Sequence, residues 1–104
     1  MAQVWEVWKC DAYEKTTDAD ARTRLKEFVK DLRVATGAQV IVMSGWYGED
    51  YAYVILVQHE SFEDFGKSAA KIFADKNWEA QSAERQKNPK IQWKSGGTWV
   101  EEEI

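Results

Sequence analysis

The sequence is poor in the residues that staple or punctuate a chain: 104 residues contain one Cys, one Pro and one His. A lone Cys10 excludes an intrachain disulfide. A lone His59 excludes any self-contained site that needs two histidines, and with no paired His/Cys spacing the common zinc readings fall away. No Gly-rich phosphate loop and no nucleophile elbow occur, which removes the usual nucleotide-binding and serine-hydrolase patterns. No apolar run approaches the roughly 18 residues of a membrane-spanning helix; the longest, Ala52 to Val57, has the length of a strand. Basic residues are outnumbered, 14 against 18, for a net charge of −4, so nothing in the charge balance favours a nucleic-acid partner. The N-terminus has no basic region followed by an apolar core, so the expected location is the cytoplasm.

What is present fits one globular domain. Hydrophobic residues make up 44% and charged residues 31%, interleaved rather than blocked, which is unlike a disordered chain. About 100 residues is a common domain size and needs no metal for stability. Val4 to Cys10 alternates β-branched and aromatic residues and predicts a strand. Thr17 with Asp20 reads as a helix N-cap, followed by Ala21, Leu25, Phe28, Val29 and Leu32 at helical spacing and by Gly37 as a C-cap. Val40–Met43 and Tyr51–Gln58 predict an antiparallel hairpin with Trp46 and Tyr47 at its tip. Ser61 caps a second helix through Phe65, Ala69, Ile72 and Phe73, and Asp75 can restart a short helix that ends at Asn88-Pro89. A last strand begins near Ile91 and is expected to be interrupted at Gly96-Gly97.

The order strand, helix, strand, strand, helix, strand predicts an α+β, ferredoxin-like βαββαβ fold, with a four-stranded antiparallel sheet and both main helices on one face. The third strand is apolar on both sides, Tyr53, Ile55 and Val57 on one and Ala52, Val54 and Leu56 on the other. Leaving such side chains wet forgoes about 1.5–3 kcal/mol each. A homodimer in which a second copy covers the bare face is therefore expected, with a cavity between sheet and partner. Trp8 is assigned to this cavity and Trp5 to the layer beneath the helices.

His59-Glu60-Ser61-Phe62-Glu63-Asp64-Phe65 and, after the second helix, Ala74-Asp75-Lys76-Asn77-Trp78-Glu79-Ala80 resemble the dimeric α+β barrel superfamily. That group includes antibiotic-biosynthesis-type monooxygenases, NIPSNAP-like proteins and stress-responsive barrel proteins. The resemblance implies a dimeric barrel and, among the activities of the group, cofactor-independent oxygenation. Haem-degrading members use an Asn, a Trp and a His at positions that fall near Glu6, His59 and Ala69 here, so none of the three is kept. The catalytic His of polyketide-cyclase relatives would fall near Tyr53.

Two ionisable residues stand in otherwise apolar rows. Glu6, flanked by Val4, Trp5, Val7 and Trp8, is a carboxylate short of water, and such groups often mark working sites. His59 ends the row of Tyr53, Ile55 and Val57, and either could serve as a general base. Trp8, Tyr53, Tyr47 and Ile55 are the candidate walls for a small aromatic or polycyclic ligand, whereas Trp78 and Trp93 read as structural and Cys10 as inert. No cofactor and no metal are expected. The alternatives are a non-catalytic dimeric binding or scaffold protein, with the interior filled by side chains, and a haem binder using His59 as axial ligand.

Overall fold

A computed structural model describes residues 3–45, 51–102 and 104. The elements run β1 (Val4–Ala12), α1 (Asp18–Thr36), β2 (Gln39–Ser44), β3 (Tyr53–His59), α2 (Phe62–Ala74), α3 (Lys76–Lys87) and β4 (Ile91–Val100). The four strands form one antiparallel sheet in the order β2-β3-β1-β4. This is an α+β fold whose strand order is compatible with the ferredoxin-like arrangement. The expected hairpin pairs as β2 with β3. Its tip, including Trp46 and Tyr47, lies outside the described residues.

Each helix begins where a side chain can take up an orphan N–H. Thr17 accepts from the Asp20 amide, Ser61 from that of Asp64, and Asp75 from that of Trp78. Gly37 closes α1 in the left-handed region, φ 70°, and its N–H bonds back to the Arg33 carbonyl. The buried stripe of α1, Ala21, Leu25, Val29, Leu32 and Thr36, packs on the sheet. In α2 the only buried residue is a serine, Ser68, and Phe73, expected to point inward, is 90% exposed. The apolar residues of α2 form one stripe, but it is turned so that only the Phe65, Ala69 and Ile72 edge meets the sheet, and in part, while Phe62 and Phe73 stay exposed.

Register decides which side chains share a face, because directly paired residues lie on the same side of the sheet. Val4, Glu6, Trp8 and Cys10 stand opposite His59, Val57, Ile55 and Tyr53. Tyr53, Ile55, Val57 and Cys10 belong to the core beneath the helices. The other face carries Trp5, Val7, Ile41, Met43, Val54, Leu56 and Trp99, none of them buried. Trp5 and Trp8 therefore exchange the places expected of them: Trp5 is on the bare face and Trp8 on the helix side. The parity of β1 is fixed by its pairing with β3, which indole size alone does not reveal.

The last strand is continuous from Ile91 to Val100, without the expected interruption at Gly96-Gly97. Its irregularity is a register shift opposite Lys9/Cys10, where the partners jump from Ser95 to Trp93. Such a bulge lets Trp93 and Gly96 both face the helix side, although they are three residues apart. Among the described residues no helix is long and apolar enough to cross a membrane.

Burial of Cys10, with Asp11 beside it, pushes its thiol up to about 12 from an ordinary value of 9.0. The thiol is raised in the folded state, so its contribution to stability is complete below pH 9 and is lost as the pH climbs from there toward 12. Native protein at pH 8 should resist a thiol reagent such as DTNB, with stoichiometric labelling only after denaturation. Rapid labelling of folded protein would contradict the burial.

Candidate functional site

Glu6 enters the helix-covered layer because β1 pairs it with Val57, a residue with 1% exposure. The Glu6 side chain is half-buried there and takes a hydrogen bond from within the core. Its Oε2 lies 2.8 Å from Nε2 of His59, whose side chain is 2% exposed. On the far side of the ring, Ser68 Oγ is 3.4 Å from Nδ1. An Nε2–H on the imidazole can donate to the Glu6 carboxylate, and Nδ1 lies within reach of the Ser68 hydroxyl. Phe65 packs edge-on against the imidazole at 5.1 Å between centroids. The three polar residues come from β1, β3 and α2, and His59, supported by Ser68, fixes the direction of the Glu6 carboxyl.

Glu6 lines a cavity of about 280 Å³. Its other walls are Trp8 from β1, Val57 from β3, Phe28 and Leu32 from α1, Ile72 from α2, Trp78 from α3 and Trp93 from β4. Phe28 holds two of the indoles in place, with centroids 5.3 Å from Trp78 and 5.1 Å from Trp93, both tilted. The cavity lies at the β1–β4 side of the sheet, where Trp8 and Trp93 remain 41% and 43% exposed and form its rim. Gly96 makes room there. A Cβ on it would lie 2.3 Å from the six-membered ring of Trp8, so the indole rests directly on the β4 backbone.

The chemistry available is that of one oriented carboxylate in an aromatic, largely apolar space. It can accept a proton or a hydrogen bond from a flat ligand held between indoles. No group of three His, Cys, Asp or Glu side chains among the described residues could hold a metal ion.

Of the expected site residues, the structure brings together Glu6, Trp8 and, through Glu6, His59. It does not bring Ile55 or Tyr53 to that cavity. Ile55 has no exposed surface, and Tyr53, 3% exposed, points its hydroxyl to Asp18. Tyr47 lies outside the described residues. His59 itself is sealed in the core and reaches the cavity only through Glu6, so its role is to position. This cavity lies within the chain, on the helix side of the sheet.

Trp78 and Trp93, which read as structural, prove to be cavity walls, and Phe28 and Ser68 join them as unforeseen members of the site. Ser68 left a trace in the sequence: it is a hydroxyl in the 3–4 spacing of Phe65 and Ile72, on the inward side of α2. Trp93 left none, because the bulge shifts it out of parity. No family model matches the chain, and no curated protein matches it.

Two outcomes test this geometry. Glu6→Leu strands the His59 N–H in the core and should cost about 1–3 kcal/mol in urea unfolding, whereas Glu6→Gln, which keeps an acceptor oxygen, should cost less. Equal losses would mean that the hydrogen bond is immaterial. Gly96→Ala should cost about 1–3 kcal/mol and change the emission of Trp8 as the indole is pushed off the strand. An unaltered melting temperature and spectrum would contradict the contact.

Proposed function

We propose that the chain binds a small, flat, apolar molecule in the aromatic cavity, with the molecule's acidic edge turned to Glu6, and that a second copy covers the bare face of the sheet. Glu6 carries the reading: a carboxylate is expensive to place among indoles, and this one is held by a buried histidine and faces space large enough for a ligand. Ordinary core packing would favour an apolar residue there. The open volume weighs against an interior filled by side chains. The haem alternative loses support because the sealed His59 offers no free nitrogen to an iron.

As an enzyme, such a site suits oxygenation without a cofactor. Glu6 takes a proton from a methylene made acidic by adjacent rings, and the resulting carbanion adds dioxygen at carbon. The hydroperoxide then loses water to leave a carbonyl. One oxygen atom ends in the product and the other in water with the two methylene hydrogens, so no outside reductant is needed. His59 holds the carboxylate in line, and the indoles hold the ring plane.

The second copy follows from the bare face. Its middle row, Ile41, Leu56 and Val7, ends at Gly97, and Val54, Met43, Trp5 and Trp99 flank it. A flat patch of this composition is self-complementary about a two-fold axis.

Oxygen uptake with a panel of quinols and enolisable aryl ketones tests the activity. Glu6→Gln should lower the rate at least about a hundredfold and His59→Ala by less. Equal rates in both variants and the parent protein would remove Glu6 from the chemistry. Sedimentation at micromolar concentration should give twice the 12.0 kDa chain mass, and Leu56→Glu should return it to one. A parent protein that already sediments as a single chain would overturn the dimer.

A further inference from the structure

We propose that a second cavity, behind the contact between Phe28 and Trp93, is a binding site for a small organic anion of the arene carboxylate class. It has a volume of about 260 Å³, the space of roughly eight waters, and is bounded by α1, α3 and the start of β4. Three cationic side chains line it, Arg24, Arg85 and Lys90, and no acidic one does. In a chain of net charge −4 this is a local reversal of sign, and a recess with low-dielectric walls concentrates its field.

Arg85 is the centre of the site. Its guanidinium stacks over Phe28 and Trp78, at 5.4 and 5.7 Å from the ring centroids, and one arm of its fork, Nη2, pairs with Asp31. The other arm, Nη1, is buried and has no hydrogen-bond acceptor among the described residues. A buried charged donor left unpaired is costly, and with Nη2 already on Asp31 the remaining arm calls for one more anionic acceptor, such as one oxygen of a carboxylate. Arg24 and Lys90 form no ion pair among the described residues, which leaves both charges available at the same recess. Phe28, Pro89, Ile91 and Trp93 supply the apolar surface. That surface selects an anion with a ring over a bare inorganic one, which would lose its hydration against them without return.

The inference rests on neither the dimer nor the role of Glu6. Titration of the intact protein with benzoate, followed by amide NMR, should give saturable shifts at Ser82 and Gln86 and leave Val57, in the wall of the other cavity, unmoved. Benzyl alcohol and inorganic phosphate should each bind at least about tenfold more weakly than benzoate. Arg85→Lys, which keeps the charge but not the fork, should weaken benzoate about tenfold, and Arg24→Gln or Lys90→Gln severalfold. Since neither Arg24 nor Lys90 is buried, those two variants keep the test sound even if Arg85→Lys unfolds the chain. Benzyl alcohol binding as tightly as benzoate would overturn the role of the cations, and phosphate binding as tightly would overturn that of the rings. Shifts centred on Val57, or none up to roughly 10 mM benzoate, would overturn the site.

Discussion

The pairing of Glu6 with Val57 places a carboxylate on the helix side of the sheet, and the rest of the site follows from that register. A shift of one residue would carry Glu6 to the bare face, into water, and bring Trp5 and Val7 under the helices. With the register as it is, the acid has to find a partner in the core. His59 supplies it from the neighbouring strand, and Ser68 supports His59 from the helix above. Two polar side chains, His59 and Ser68, are thereby committed to one carboxylate in a layer otherwise built from Leu25, Val29, Ile55 and Val57.

The cavity beside this carboxylate lies where residues of all three helices meet the β1–β4 side of the sheet. Helix α1 touches β2, β1 and β4, and β4 lies at the edge with nearly every residue exposed. The space left between β4 and the helices is walled by rings, which are wide enough to span it yet leave a volume open to a ligand. Gly96 lets Trp8 lie flat on the strand, and the bulge in β4 brings Trp93 round to the same side. An acid, a void and a strand irregularity, each unfavourable to stability on its own, coincide at one place.

The sequence was legible where the signal is local. The caps at Thr17, Ser61 and Asp75, the left-handed Gly37, the hairpin pairing and the element order all depend on short-range chemistry that a chain displays openly. Glu6 and His59 also stood out, as charges in apolar rows. What stayed hidden depends on pairing between distant strands. Parity within β1 was readable, but which of its two faces meets the helices was not, so Glu6 and Trp8 were expected on the bare face and lie on the covered one. Tyr53 and Ile55 are core residues for the same reason. The resemblance to dimeric barrels rests on short motifs in residues 59–65 and 74–80.

Intermolecular NOEs from a bound hydroxynaphthalene test most directly whether the covered side of the sheet is the side that works. Contacts from its ring protons to the indoles of Trp8, Trp78 and Trp93 are the result this account predicts. Contacts to Trp5 and Trp99 on the open face, or to none of the indoles, would contradict it.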